Sequence, residues 1–193
     1  MLAFQAGDQE AFRRLVKRSQ SKVYAVIYRL VPNHAQVEDL TQEVFLRVFR
    51  TAARYRPMAK FSTWLYRIAS NVALNALRSG RKMKLSSLEL GDADDESSWR
   101  RDVPDTRSAP PATGLDAEEL EARILAAIAE LPESQRIAIT LNKFEHLSYQ
   151  EIAKMLDCST MAVKSLLSRA RCNLRTALVR YLGEDFAEKV PNP

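Results

Sequence analysis

The stretch LSYQEIAKMLDCSTMAVKSLLSRAR, residues 147–171, predicts a short helix, a tight turn and a longer basic helix. Ser148 stands three residues before Glu151, which is the spacing of a capping box at a helix start. After the turn, Ser159 or Thr160 can cap the second helix. Two helices joined by so short a turn form a helix-turn-helix.

The second helix of this motif has one apolar face and one face suited to DNA. At about 100° per residue, the apolar face collects Val163, Leu166, Leu167, Ala170 and Leu174. The opposite face and its flanks carry Met161, Lys164, Ser165, Ser168, Arg169, Arg171 and Arg175. Small side chains allow entry into a major groove, and basic ones can contact phosphates. An ordinary amphipathic helix with a solvated basic side is the alternative.

The composition indicates an all-α protein with an anionic partner. Of 193 residues only 5 are glycine, and 46% are hydrophobic. The net charge of +5 favours nucleic acid as a partner. Cys158 and Cys172 lack the spacing of a zinc site or a disulfide framework, so we expect no cofactor and no metal. Neither a membrane span nor a signal peptide is predicted, which indicates a cytoplasmic protein.

The charges divide the chain into two helical domains and a linker. Residues 1–85 carry 16 Lys and Arg against 5 Asp and Glu, and we predict that they form the first domain. The acidic residues 86–115, rich in Ser, Asp, Pro and Gly, predict a flexible linker. Residues 116–182 would form the second domain, followed by a tail at 183–193. The linker is either a solvated spacer or an acidic strand that enters a basic channel on a partner.

The segment QVEDLTQEVFLRVFR, residues 36–50, predicts a helix with an unusual outer face. Its core stripe is Val37, Leu40, Val44 and Val48. The far side mixes charged residues with Leu46 and Phe49, which suggests docking against another protein. The alternative is that Phe45 and Phe49 pack on a neighbouring helix of the same domain.

The segment FSTWLYRIASNVALNALRSGRK, residues 61–82, predicts a helix suited to unpaired DNA. Ser62 can cap it, and its outer side carries Trp64, Arg67, Asn71, Asn75 and Arg78. Arginines can neutralise phosphates, aromatics can stack on exposed bases and amides can bond base edges. A duplex-binding protein has little use for such a surface, whereas a protein that holds separated strands needs it. Trp64 by itself is as well explained as an edge-of-core residue.

Four blocks of this sequence resemble bacterial RNA polymerase sigma factors of the extracytoplasmic-function type, which is group IV of the sigma-70 family. The blocks are AGDQEAFRRLV (6–16), VEDLTQEVFLRVFR (37–50), FSTWLYRIASNVALNALR (61–78) and LPESQRIAITLNKFEHLSYQEIAKMLDCSTMAVKSLLSRARCNLR (131–175). The resemblance implies a promoter-specificity subunit that binds core RNA polymerase, recognises the −35 and −10 elements and helps to open the DNA. It also implies that the linker threads a polymerase channel, and many family members have an anti-sigma factor as a further partner.

The resemblance assigns a role to each face. Polymerase binding is expected of Asp39, Gln42, Glu43, Leu46, Arg47 and Arg50. Binding of the −10 element is expected of Arg56, Lys60, Phe61, Trp64, Arg67, Asn71, Asn75 and Arg78, with the loop 56–61 forming a pocket for a flipped base. Binding of the −35 element is expected of Ser159, Thr160, Met161, Lys164, Ser165, Ser168, Arg169, Arg171 and Arg175. Many members carry an arginine where Leu166 stands here, so the −35 base preference stays open.

Two other classes of protein are weighed against this hypothesis. A stand-alone dimeric helix-turn-helix regulator of duplex operators would use the second domain in the same way. It would need a dimer face or a ligand pocket in the first domain, instead of a docking helix followed by a strand-holding helix. An enzyme is not expected, because there is no phosphate-binding glycine loop, and His34 and His146 are the chain's two histidines.

Overall fold

The structure is a computed structural model that describes residues 1–89 and 117–182. Those two ranges are helical and contain no strand, so the all-α prediction is confirmed. The helices in chain order are α1 (Leu2–Gln5), α2 (Gln9–Leu30), α3 (Val37–Thr51), α4 (Phe61–Glu89), α5 (Ala117–Glu130), α6 (Glu133–Lys143), α7 (Tyr149–Leu156) and α8 (Thr160–Leu182). Short 3-10 turns flank α3 at His34–Gln36 and Ala52–Arg54.

The first group of helices packs around α2. Val23, Val26, Ile27 and Leu30 recur at helical spacing on one face of α2, and none is more than 1% exposed. Helices α3 and α4 bury six of the predicted core residues, which are Val37, Val44, Val48, Leu65, Ala69 and Val72. The outer sides of α3 and α4 are therefore left to face outward, and these are the sides predicted to bind partners.

The second group contains the predicted helix-turn-helix, formed by α7 and α8. The capping box is present, because the Ser148 side chain accepts from the Glu151 N–H while the Ser148 N–H donates to the Glu151 carboxylate at 2.9 Å. Asp157 turns the chain with φ 51° and ψ 51°, a left-handed conformation that Asp tolerates better than most residues. Ser159 accepts from the Ala162 N–H at 3.1 Å and caps α8.

The predicted cap of α4 is wrong. The helix begins at Phe61, one residue before Ser62, and the Trp64 N–H donates to the Lys60 carbonyl at 3.3 Å. The Phe61 ring packs with the rings of Tyr55, at 6.1 Å, and Trp64, at 5.8 Å. Phe61 therefore belongs both to the first turn of α4 and to this aromatic cluster.

The two groups of helices also contact each other, a feature that the domain boundaries did not predict. Arg136 of α6 is 6% exposed, and its guanidinium donates to the carbonyls of Leu30 at 2.9 Å and Leu131 at 3.0 Å. The Thr63 hydroxyl of α4 donates to the Glu151 carboxylate at 2.9 Å. One apolar core runs through residues of both groups. Both segments therefore form a single packed body in this structure.

Two predicted segments lie wholly or largely outside the described residues. The acidic linker is predicted at 86–115, and its described part is the end of α4 at residues 86–89. The tail at 183–193 lies outside completely. No helix in the described part of the chain has the length and apolarity that crossing a membrane requires.

We expect Glu151→Gln to weaken the pH dependence of stability below pH 4.5. Hydrogen bonds from the Ser148 N–H, then from the Ser148 and Thr63 hydroxyls, lower the pKa of Glu151 from its ordinary 4.5. As the pH falls, the unfolded chain protonates this group first, so the stability it contributes is present above pH 4.5 and is lost as pH falls through the folded pKa. Urea unfolding between pH 7 and pH 3 measures the effect.

The matched control for this experiment is Glu38→Gln, which removes a carboxylate from an exposed position of α3. This control should keep the wild-type dependence of the unfolding free energy on pH. If Glu151→Gln retains the wild-type dependence as well, the lowered pKa of Glu151 is contradicted.

Candidate functional site

The outer face of α3 mixes charge with apolar surface. Leu46 and Phe49 are each 50% exposed, although both are large and apolar. Exposed around them are the predicted polymerase-binding residues Asp39, Gln42 and Arg50. The alternative of packing within the domain holds for Phe45, which is 9% exposed, and only in part for Phe49. Large apolar side chains among charges suit a protein partner.

Glu43 and Arg47 occupy a different position from the rest of the predicted polymerase-binding set. They are half-buried and form an ion pair, with the Arg47 Nε donating to the Glu43 Oε1 at 2.6 Å. Arg47 also lines a cavity that it shares with α4. Its guanidinium therefore lies where the docking face of α3 meets the predicted DNA-binding side of α4.

That cavity, which we call the arginine pocket, has a volume of about 330 Å³. It is lined by Arg47, Thr51, Arg54, Tyr55, Trp64, Arg67, Ile68 and Asn71. Three guanidinium groups, one amide and two aromatic rings thus surround one space. Such a set can neutralise a phosphate and contact a base. The pocket is the strongest candidate site for an unpaired nucleotide in the described part of the chain.

Two aromatic rings line the arginine pocket. Tyr55 is 6% exposed and stands edge-on to Trp64, with ring centroids 4.9 Å apart and planes at 67°. Trp64 is half-buried, so it is an edge-of-core residue that still presents one side to the pocket. Edge-to-face packing is a favourable arrangement for such a pair of rings.

The other residues predicted for the −10 element lie around the arginine pocket and do not line it. Arg56 and Lys60 are exposed on the loop before α4, where Phe61 is half-buried. Asn75 and Arg78 are exposed further along α4. The pocket for a flipped base in the loop 56–61 stays a prediction, and Thr51, Arg54 and Ile68, which the sequence analysis did not name, line the arginine pocket. Arg54 and Thr51 are polar residues next to the loop, but only tertiary packing brings them opposite α4.

The N-terminal helix α1 belongs to the first group and packs against α2 and the end of α3. Phe4 packs on Phe12 at 4.8 Å and on Phe49 at 5.3 Å, between ring centroids. The Gln5 side chain donates to the carbonyls of Ala52, at 2.7 Å, and Tyr55, at 3.1 Å. The sequence analysis gave α1 no structural role, and the only signal was a phenylalanine at each side of Gly7.

The predicted DNA-binding face of α8 is open to solvent. Met161 is 72% exposed, and the small and basic residues beside it are exposed as well: Ser159, Thr160, Lys164, Ser165, Ser168 and Arg169. Arg171 and Arg175 are half-buried. The opposite side is buried at Val163, Leu167 and Ala170, each 0% exposed, as its periodicity predicts. Leu166 is half-buried, so its side chain is partly used in packing.

A second cavity, of about 680 Å³, lies between α4 and the helix-turn-helix. Asn71 and Arg78 line it from α4, and Ser165 and Arg169 line it from α8. We call it the interdomain cleft. The faces predicted to bind the two promoter elements therefore look into one space in this structure.

Comparison with protein families gives two matches in the order of the two helical groups. Residues 15–83 match the model of Sigma-70 region 2. Residues 121–174 match the model of Sigma-70, region 4. The first match contains the α3 face and the arginine pocket, and the second contains the helix-turn-helix.

Full-length relatives and a solved structure resemble the chain along most of its length. The RNA polymerase sigma-H factor of Pseudomonas aeruginosa is 36% identical over 183 residues, which cover 93% of this chain and 92% of the relative. The ECF RNA polymerase sigma-E factor of Escherichia coli strain K12 is 39% identical over 170 residues, 86% of each chain. The sigma factor RpoE of Bartonella quintana, solved with the anti-sigma factor NepR, has the same fold with a TM-score of 0.66 and 24% identity, over 88% of this chain and 97% of RpoE.

Proposed function

Because this chain belongs to the extracytoplasmic-function group of the sigma-70 family, we propose specific roles for its three exposed surfaces. The chain is a promoter-recognition subunit that binds core RNA polymerase and promoter DNA. The observation that carries the residue assignments is the arginine pocket, which stands beside an exposed apolar face on the same helix. A stand-alone dimeric regulator is not favoured, since it would leave both of these features without a use.

The α3 face docks on core RNA polymerase. Leu46 and Phe49 supply apolar contact area, while Asp39, Gln42 and Arg50 fix orientation through polar contacts. Interfaces take most of their affinity from a few buried anchors surrounded by polar residues. Leu46 is the best anchor, because half of its side chain is exposed and it stands among those polar residues.

The arginine pocket holds an unpaired nucleotide of the −10 element. Arg47, Arg54 and Arg67 neutralise the phosphates on either side of it, and the Asn71 amide contacts the base edge. Arg56, Lys60, Asn75 and Arg78 follow the strand on either side of the pocket. Gripping a base that has left the stack stabilises the open DNA, so no catalysis by this chain is required.

The N-terminal part of α8 reads the −35 element as duplex DNA. The small residues around Ser165 allow a close approach to the major groove, and Lys164 and Arg169 contact phosphates. Half-buried Leu166 gives no cationic contact at the position where many family members have arginine. We therefore expect fewer phosphate contacts there. The proposal includes the cytoplasmic location predicted from the sequence, where bacterial DNA and polymerase meet.

The two helical groups must separate when both elements are bound. The −10 and −35 elements are about 25 base pairs apart, which is about 85 Å of duplex at about 3.4 Å per pair. The faces that bind them instead share the interdomain cleft. The 27 residues between α4 and α5, 90–116, could reach at most about 90 Å at about 3.4 Å per residue. Separation breaks the Arg136–Leu30 and Thr63–Glu151 hydrogen bonds.

An anti-sigma partner stays a prediction. The RpoE structure contains the anti-sigma factor NepR. At 24% identity, the likeness between RpoE and this chain shows a shared fold and not a shared partner.

The first test is reconstitution. Added to core RNA polymerase, the protein should direct initiation from a defined set of sites in run-off transcription on genomic fragments. Leu46→Glu should weaken binding to core polymerase by about 2 kcal/mol, roughly thirtyfold in Kd, because it places a charge in an apolar contact. Leu120→Glu makes the same exchange at an exposed position of α5 and should bind normally. Unchanged transcription on adding the protein would refute the function, and equal affinity of the two variants would refute the α3 assignment.

The second test separates the two DNA faces. Asn71→Ala should lose about 1–3 kcal/mol of discrimination between a −10 sequence and its single-base variants. Lys164→Ala should weaken binding almost uniformly across −35 sequences, and it should lower the salt dependence of affinity, because it removes a phosphate contact. Initiation rates on promoters mutated at each element measure both effects. If Asn71→Ala changes −35 and −10 discrimination equally, its assignment to the −10 element is wrong.

The third test concerns separation of the two helical groups. Spin labels at Cys172 and at Gln20→Cys, with Cys158→Ser, report on exposed sites of α8 and α2. The distance between them should lengthen by tens of ångströms when core polymerase and promoter DNA are added, as the spacing of the elements requires. Pulsed electron paramagnetic resonance measures it. An unchanged distance in an initiation-competent complex would contradict the proposed opening.

A further inference from the structure

The Gln5 side chain joins the N-terminal helix to a turn about fifty residues away. Its amide nitrogen donates to the carbonyl of Ala52 at 2.7 Å and to that of Tyr55 at 3.1 Å. Ala52 follows the last residue of α3, and its carbonyl also accepts from the Tyr55 N–H at 3.0 Å. The Gln5 amide therefore adds two hydrogen bonds to the turn that follows α3.

The same turn forms a wall of the arginine pocket. Thr51, Arg54 and Tyr55 all line that pocket, whereas Gln5 does not. Gln5 therefore contacts residues of the wall without lining the pocket itself. A change in this side chain can alter the position of the wall without removing any group that faces the nucleotide.

The residues on either side of Gln5 position its backbone. Gly7 has φ +103°, a conformation that L side chains rarely adopt, and it reverses the chain between α1 and α2. Asp8 then caps α2 by accepting from the Ala11 N–H at 2.9 Å, a bond that lowers the pKa of the Asp8 carboxyl. On the other side of α1, Phe4 packs against Phe49. The backbone of Gln5 is held from both sides.

We propose that Gln5 is a positioning residue for recognition of the −10 element. It holds the Ala52–Tyr55 turn so that Arg54 and Tyr55 stand at the right distance from Arg67 and Asn71 across the pocket. Since α1 also packs on Phe49, beside the docking residue Leu46, one short helix contacts both the polymerase-binding face and the pocket wall. The ligand whose recognition depends on Gln5 is the unpaired nucleotide. This inference rests on the proposed function.

A purely structural role predicts a different outcome. The net contribution of one or two hydrogen bonds at a partly exposed site to stability is small. Tyr55 is buried against Trp64 and Phe61, so the fold around its ring should survive the loss of Gln5, while the backbone that carries Arg54 loses a restraint. What the amide adds is a restraint on the backbone between Ala52 and Tyr55. Loss of that restraint should affect the choice of base more than the stability of the fold.

The experiment compares three variants in the holoenzyme, on a promoter mapped by the reconstitution described above. Gln5→Leu keeps the size of the side chain and removes both donors. Gln5→Lys restores a donor, and its charge suits the C-terminal end of a helix. Gln20→Leu makes the first exchange at an exposed position of α2 and is the control. The readout is the ratio of initiation rates on the natural −10 sequence and on a single-base variant, together with affinity for core polymerase and the melting temperature.

For Gln5→Leu we expect that ratio to fall severalfold, with a ceiling of about tenfold set by the loss of one or two modest hydrogen bonds. Polymerase affinity should be unchanged. Gln5→Lys should recover most of the discrimination, and Gln20→Leu should behave as wild type. The ratio does not depend on the amount of active protein, so instability alone cannot lower it.

Two results would overturn the inference while leaving the proposed function in place. One is a wild-type ratio in Gln5→Leu, with or without a lower melting temperature. The other is a lowered ratio that Gln5→Lys does not raise. If the wild-type holoenzyme itself fails to distinguish −10 sequences, the proposed function fails instead, and the result is distinguishable from both.

Discussion

The buried stripe of α2 is the constraint on which the rest of the structure depends. Val23, Val26, Ile27 and Leu30 are almost completely excluded from solvent, and burial of each contributes about 1.5–3 kcal/mol. Helix α2 packs against α3 and α4 of the first group and against α5 and α6 of the second group. Because the apolar faces of α3 and α4 pack inward against this stripe, their outer faces are left to carry the residues proposed to bind polymerase and DNA.

The two candidate surfaces of the first group are close together because α3 and α4 pack against each other across the Ala52–Tyr55 turn. Tyr55 ends this turn, and its ring packs against Trp64 and Phe61. Arg47, which is paired with Glu43 on α3, lines the arginine pocket. The surfaces proposed for polymerase binding and for nucleotide binding therefore meet at this residue.

The contact between the two helical groups combines hydrogen bonds with a shared apolar core. Arg136 binds backbone carbonyls of both groups, and the Thr63–Glu151 bond links α4 to the start of α7. These polar groups can exchange protein partners for water when the groups separate, so much of their energy is recovered. The apolar part of the contact is not recovered in water. Binding of polymerase and of two DNA elements would have to offset that loss.

The sequence by itself determined the helices, their buried faces and the family. Local rules suffice for these features: helical periodicity placed Val44, Val163 and Leu167 in the core, and the Ser148–Glu151 spacing fixed the start of α7. Only the tertiary structure decided that Arg54 and Arg47 face α4, that Gln5 holds the turn after α3, and that the two groups share a cleft. Each of these contacts joins positions whose separation in the sequence carries no periodic signal. They exist because the packing of whole helices brings those positions together.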